Sequence, residues 1–363
     1  MNLIITGIRG IPGSHGGFET FAEYLALFLK KENWNVTVYC QEDYIKSSKI
    51  YESHWNGIKR FHIPIKQTGA LGTIIFDFKT IIHAANQPGT ILTLGYNTAL
   101  FNLYLKFFKK KIVLNMDGIE WKRDKWKFHE RVWLFLNEFI GAKVGNILVA
   151  DNPEIKNHLL KYAADSKIKM IPYGARQVEN PDVNYIHQHG LISNNFSIII
   201  ARAEPENSIL DIVTAFSKRK RNSNLVVLGN YDKNNKYHAD VIKAASDEVI
   251  FLGAIYNHDE LDALRYYSKL YIHGHTVGGT NPSLVEAMGS GQAILAHDNK
   301  FNRWVAGDGA IYFHDIETLS KQLDCTLDNT KILTELSSNS SRRFHENFKW
   351  SKILNQYKKI LES

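Results

Sequence analysis

Leu3-Ile4-Ile5-Thr6-Gly7-Ile8-Arg9-Gly10-Ile11-Pro12-Gly13-Ser14-His15-Gly16-Gly17-Phe18-Glu19-Thr20-Phe21-Ala22-Glu23-Tyr24-Leu25-Ala26-Leu27-Phe28-Leu29 reads as a strand, a glycine-rich turn and a helix in immediate succession. The opening run is apolar at consecutive positions, the pattern of a strand buried on both faces. Phe18, Phe21, Ala22, Leu25, Phe28 and Leu29 then share one stripe at helical spacing, which makes this segment a crossover helix. Working outward, short β-branched runs recur at Val36–Cys40, Thr90–Leu94, Ile112–Met116 and Ile147–Ala150. The second half repeats the pattern at Ser197–Ile200, Leu225–Gly229, Val249–Leu252, Leu270–His273, Ala293–Ala296 and Ala310–Phe313. Strand and helix alternate twice over, which predicts an α/β fold with two parallel sheets covered by helices.

A chain of 363 residues is long enough for two such domains, each with its own core. Ile171-Pro172-Tyr173-Gly174-Ala175 ends the last strand of the first half, and Gln177–Asn195 is polar without a clear period. The reading therefore places an N-terminal domain at 1–175 and a C-terminal one at 176–345. A closing helix follows over 346–363, with Trp350, Ile353, Leu354, Tyr357 and Ile360 available for packing.

Apolar residues at 44% and charged residues at 22% are the balance of a folded globular protein. Cys40 and Cys325 are the only cysteines and lie far apart, so neither a disulfide framework nor a zinc site is expected. Met1 leads straight into the first strand, and no window reaches the roughly 18 uncharged apolar residues of a membrane span. These features predict a cytoplasmic protein whose membrane contact, if any, is peripheral. Charge is unevenly spread. Residues 1–175 hold 23 Lys+Arg against 15 Asp+Glu, while residues 176–363 hold 21 against 22. Residues 100–131 carry nine basic and four acidic side chains, interleaved with Tyr104, Phe107, Phe108, Trp121, Trp126 and Phe128. Two readings stay open: a surface that rests on anionic lipid, or a helix whose basic end complements its own dipole. No nucleic-acid motif accompanies the charge, and no nucleic-acid partner is expected.

Three stretches carry chemistry. The glycine-rich turn is not a dinucleotide fingerprint, yet Gly16 and Gly17 just before a helix let bare N–H groups approach an anion, with Arg9 and His15 beside them. The second stretch is His273-Gly274-His275-Thr276-Val277-Gly278-Gly279-Thr280-Asn281-Pro282-Ser283-Leu284-Val285-Glu286-Ala287-Met288, again a strand, a loop and a helix. Pro282 suits the first helical turn. Glu286, among apolar neighbours, needs partners that a ribose diol could supply. His273 and His275 lack a third ligand and read as packing or polar lining, so neither a metal nor a cofactor is expected. The third stretch, Ile198-Ile199-Ile200-Ala201-Arg202-Ala203-Glu204-Pro205-Glu206-Asn207, sets Arg202 at the carboxyl edge of a strand, facing an interdomain cleft. A guanidinium there can clamp a diphosphate, or else pair with Glu204 or Glu206.

Together these phrases, with Met116-Asp117-Gly118-Ile119-Glu120-Trp121-Lys122-Arg123, resemble the retaining family 4 glycosyltransferases of the GT-B fold. More narrowly they resemble the rhamnosyltransferase-like branch that builds bacterial surface polysaccharides such as O-antigen and capsule. The resemblance implies two Rossmann-like domains facing across a cleft, with a C-terminal helix crossing back to the N-terminal domain. In that family the second glutamate of a Glu-x7-Glu motif holds the donor ribose and falls on Glu286, while the first falls on Gly278. The family's diphosphate-neutralising Arg and Lys fall on Arg202 and Asn207, so the Lys is absent. Gly279, Thr280 and Asn281, with Arg9, Gly16 and Gly17, complete the expected donor contacts. Asp117 is the candidate for orienting the acceptor hydroxyl or assisting its deprotonation, with Glu120, Arg123 and His15 on the acceptor side. The resemblance implies a metal-independent hexosyltransferase using dTDP-L-rhamnose and a lipid-linked saccharide at the inner face of the cell membrane. The alternatives are a UDP- or GDP-sugar donor, or a sugar-nucleotide epimerase on the same fold.

Overall fold

The computed structural model describes residues 1–13 and 16–363; the acceptor-side expectation for His15 lies outside the described residues. Two compact units form, one from Met1–Pro172 with Ser351–Ser363 and the other from Tyr173–Trp350.

Unit 1 runs β1 (Asn2–Thr6), α1 (Gly17–Lys31), β2 (Asn35–Asp43), β3 (Tyr51–Trp55), β4 (Ile58–Ile65), α2 (Gly69–Ala85), β5 (Thr90–Leu94) and α3 (Asn102–Phe107). It continues with β6 (Ile112–Asn115), α4 (Phe128–Val144), β7 (Ile147–Ala150), α5 (Pro153–Leu159) and β8 (Ile168–Met170). The eight strands lie in the order β3-β4-β2-β1-β5-β6-β7-β8, all parallel except β3. The β3–β4 hairpin is absent from the sequence reading because its strands mix charge with apolar residues. Tyr51 stacks on His62 at 4.4 Å and Lys59 pairs with Glu52 at 3.1 Å, the cross-strand contacts of an edge with one face in water. Ile4, Ile63, Phe76, Ile91 and Ile112 belong to one core under the helices.

Unit 2 opens with α6 (Asn184–His187), β9 (Phe196–Ile200), α7 (Ile209–Ser217), β10 (Asn224–Leu228), α8 (Lys236–Ala244), β11 (Val249–Gly253), α9 (His258–Tyr267) and β12 (Leu270–His273). It continues with α10 (Pro282–Gly289), β13 (Ile294–His297), α11 (Lys300–Ala306), β14 (Ala310–Phe313), α12 (Ile316–Thr326) and α13 (Thr330–Asn347). Its sheet is fully parallel, in the order β11-β10-β9-β12-β13-β14. Along β9, Ile199 enters one core and Phe196 and Ile198 the opposite one. Burial on both faces is why these strands read as unbroken apolar runs. Gln177–Asn195, polar in sequence, belongs to this unit. Ile186 and Leu191 are buried in its core, and only their sparse spacing hid them among polar residues.

The last helix, α14 (Trp350–Glu362), packs on unit 1. The Tyr357 ring lies 4.5 Å from that of Phe21 on α1, and its hydroxyl accepts from Asn115 Nδ2 at 2.9 Å. The Lys111 ammonium donates to the carbonyls of Ile360 and Leu361 at 3.2 and 3.1 Å, capping the carboxyl end of α14. Lys110 donates to the Gln87 carbonyl. Two of the three consecutive lysines, Lys110 and Lys111, are thus tied to backbone.

Candidate active site

In unit 2 the strand order reverses between β9 and β12, the switch point outside whose carboxyl ends an open α/β sheet binds ligands. Arg202 leaves β9 there, and the loop 274–281 leaves β12 beside it. The two loops are knitted together: Thr276 donates from its N–H and its hydroxyl to the Glu206 carbonyl at 2.9 and 3.0 Å. The amides of Asn299 and Asn302 hold the His275 carbonyl from the far side at 3.0 and 2.9 Å.

Arg202 is exposed and forms no ion pair among the described residues, so the pairing with Glu204 or Glu206 is not formed. It lines a cavity of about 470 Å³ with Glu204, Gly229, Asn230, His238 and Tyr256, at the carboxyl ends of β9, β10 and β11. Tyr256 is one of only two large apolar side chains exposed in this unit. His238 Nδ1 accepts from the Asp232 N–H at 2.9 Å, which leaves Nε2 to donate to the Ala203 carbonyl at 2.8 Å and pins the loop. Asn207 departs from its expected place among the donor contacts. It is buried, and its amide donates to the Arg202 carbonyl at 2.8 Å, so it shapes the turn that presents Arg202.

Asn281 caps α10, its side-chain oxygen accepting from the Ser283 N–H at 3.1 Å and the Ser283 hydroxyl at 2.9 Å, with Pro282 in the first turn as expected. Thr280 is buried and Gly279 partly exposed in the same loop. Gly278, the position of the missing first glutamate, has φ 127°, a conformation that any L side chain resists. Glu286 is partly exposed and already has a partner that the sequence reading missed. Arg265 of α9, buried, donates to its Oε2 and approaches Asp262 at 3.4 Å. Arg176 in turn bonds Asp262 at 2.6 Å and Asp259 at 3.2 Å. The alternating charges fix Glu286 in place. Arg265 could have been found only by noticing an arginine among the apolar periodicity of a helix. The Tyr271 hydroxyl, donating to the Ile200 carbonyl at 3.4 Å beside Ser283, links this network to the end of β9; burial raises its pKa to about 12.

His273 stacks on His275 at 4.4 Å, fully buried, with neither ring nitrogen hydrogen-bonded. Burial, then His275 and His297, push its pKa well below the usual imidazole range, so it is neutral packing. Among the described residues no three His, Cys, Asp or Glu side chains are grouped to hold a metal.

In unit 1 the switch point falls between β1 and β5. A Cβ on Gly7, at φ 80°, would sit 2.3 Å from the Leu94 oxygen, so the loop requires glycine there. The N–H groups of Arg9 and Gly13 donate to Glu19 and Glu23 of α1 at 3.1 and 2.6 Å and are not open to an anion. Gly16 and Gly17 form the start of α1 without a side-chain cap, and the Arg9 side chain is exposed. One strand over, Asp117 follows β6 at φ 50°, a left-handed conformation that Asp adopts more readily than most side chains. Its N–H donates to Asn115 Oδ1 at 3.0 Å, and Asn115 is held by Tyr357. Burial, then the neighbouring Glu120, push the Asp117 carboxyl up to about 6. Glu120 is buried and bonds Arg123 at 2.7 Å, while its N–H donates to the Tyr96 hydroxyl at 2.7 Å. Asp117, Glu120 and Arg123 therefore share one loop, braced below by Trp121 Nε1 donating to buried Glu138 at 2.9 Å.

The comparisons define the class. Residues 185–343 match the family model described as glycosyl transferases group 1, and residues 1–176 match a domain of unknown function, DUF1972. Residues 185–343 thus carry a glycosyltransferase domain of group 1 type, and the two parallel-sheet units match GT-B architecture. An uncharacterized glycosyltransferase of Methanocaldococcus jannaschii is 22% identical, over 96% of this chain and 95% of the relative. Sucrose-phosphate synthase of Thermosynechococcus elongatus superposes with a TM-score of 0.81 at 15% identity, covering 99% and 98% of the two chains. HepE of Anabaena, solved with UDP and glucose, superposes at 0.77 and 14% identity, covering 100% and 99%.

Proposed function

We propose that the chain moves L-rhamnose from dTDP-L-rhamnose, with retention and without a metal, onto a lipid-linked saccharide in cell-surface polysaccharide assembly at the inner membrane face. The observation that carries the donor half is Arg202: an exposed guanidinium with no ion pair among the described residues, at the switch point, lining a cavity, in a loop bonded to the one that leads to Glu286. In the reaction the bond from the anomeric carbon to the β-phosphate oxygen breaks as the acceptor oxygen bonds the same face of that carbon. The acceptor's proton passes to the departing phosphate. Charge gathers on the β-phosphate, where Arg202 and the N–H groups of Gly279 and Thr280 stabilise it. Glu286, oriented by Arg265, accepts hydrogen bonds from the ribose hydroxyls. Asp117 orients the acceptor hydroxyl by accepting a hydrogen bond from it while its proton goes to the phosphate. The rhamnose assignment rests on the branch resemblance.

A second donor reading, a UDP-sugar, is favoured by HepE, whose solved complexes hold UDP and UDP-glucose. Incubation with dTDP-, UDP- and GDP-sugars, with and without a lipid-linked acceptor and with EDTA, tests the proposal. Acceptor-dependent release of dTDP that survives EDTA is the expected result. Epimerisation of the donor alone, or activity restored only by manganese, would contradict it.

A further inference from the structure

Large apolar side chains left exposed among the described residues are divided unequally: two lie in unit 2 and nineteen in unit 1. Thirteen of the nineteen fall between Leu71 and Leu160, on or beside α2, α3, α4 and α5. The topology gathers them. The connections β4–α2–β5, β5–α3–β6 and β6–α4–β7 all step the same way across the sheet, so their common hand places the three helices on one face. α2 packs on α3 and α3 on α4, which makes that face one continuous layer. α1 steps the other way and lies with α14 on the opposite face.

We infer that this α2–α3–α4 layer is a docking surface for an anionic lipid bilayer, with Phe107 and Phe128 as the side chains that enter the acyl boundary. Phe107 and Phe128 are 84% and 83% exposed, too far out to serve the core. The charges around them choose the occupant. Lys106, Lys109, Lys122, Lys125, Lys127 and Lys143 are exposed on the same segments, whereas Asp77, Glu120 and Glu138 are buried. Of the remaining acids, Asp124 pairs with Arg131 at 3.1 Å and Glu130 accepts from the Lys127 N–H at 2.7 Å. An apolar patch rimmed by exposed lysines, with its carboxylates buried or engaged, complements phosphate headgroups over hydrocarbon. Position adds a purpose, and here the inference deepens the lipid-linked acceptor reading. Phe128 begins α4 at the end of the loop that carries Asp117, Glu120 and Arg123, so a bilayer at Phe128 lies within one short loop of the group proposed to meet the acceptor.

The test is co-sedimentation of the full chain, without nucleotide, with phosphatidylcholine vesicles that contain or lack phosphatidylglycerol. Wild type is expected to bind the anionic vesicles and to release them as the Debye length shrinks from about 10 Å at 0.1 M salt to about 3 Å at 1 M. Phe107→Ser combined with Phe128→Ser should lower the partition coefficient about tenfold or more, since both rings lose their apolar area, at an unchanged melting temperature. Equal binding to both vesicle types, equal binding by the double variant, or no binding overturns the inference. So does self-association in light scattering that the double variant abolishes without any lipid binding, which would assign the face to a second copy. Calorimetry with dTDP separates this from the donor reading: vesicle binding with no nucleotide affinity sinks the donor site alone.

Discussion

Arg265→Met removes the guanidinium that holds Glu286 while keeping most of the apolar stem. Arg265 is buried against two carboxylates, and removing one partner of a buried pair costs about 3–5 kcal/mol because a charge is left unpaired. Two features put the effect at the lower end. Asp262 keeps Arg176 at 2.6 Å, and the Glu286 side chain is 30% exposed, so water can solvate part of it. A loss of about 3 kcal/mol in a unit of this size lowers its melting temperature by about 6–12 °C. Nucleotide affinity should fall in parallel, because an unanchored Glu286 must be ordered again on binding. Arg265→Lys, which restores charge without the fork, should recover part of both. Circular dichroism melting and calorimetry with dTDP and UDP measure the pair of effects. A melting temperature for Arg265→Met within 2 °C of wild type, by the ~2–4 °C per kcal/mol scale, would refute the argument that this pair is buried and formed.

Arg202→Ala, at an exposed position, should leave melting unchanged and weaken dTDP or UDP binding by about 1.5–3 kcal/mol, the scale of a hydrogen bond to a charged group. Asp117 titrates at about 6 in the fold against 3.8 in the open chain, so it binds its proton more tightly when folded. Its contribution therefore favours folding at low pH and turns to a penalty as pH rises from 3.8 through about 6. Asp117→Asn should be more stable than wild type in urea at pH 7.5, the gap closing on acidification, while kcat falls. Lys111→Gln should lower stability by about 0.3–1 kcal/mol through the lost cap on α14, whereas exposed Lys109→Gln should not.

The two parallel sheets were legible because strands such as Ile112–Asn115 and Leu270–His273 are buried on both faces and spell continuous apolar runs. The β3–β4 hairpin was not, since polar residues interrupt both strands: His54 on the edge strand β3, Lys59 and Arg60 on β4. In the site, position alone left Arg202 between a diphosphate clamp and an ion pair, and the resemblance to the family motif singled out Arg202 and Glu286. Arg265 could not be singled out, because it acts from a helix that precedes β12 and meets Glu286 only through the fold. Asn207 was placed by alignment of a motif, but burial turned its amide onto the Arg202 carbonyl. Likewise the run Lys109-Lys110-Lys111 looks uniform in sequence, yet backbone carbonyls of Gln87, Ile360 and Leu361 claim two of the three.

The most direct measurement is a crystal structure of the full chain with dTDP or UDP bound. The account predicts the diphosphate within hydrogen-bonding distance of the Arg202 guanidinium and the ribose hydroxyls on the Glu286 carboxylate, with Arg265 still behind it. A nucleotide bound elsewhere, or one whose ribose leaves Glu286 untouched, would contradict the account.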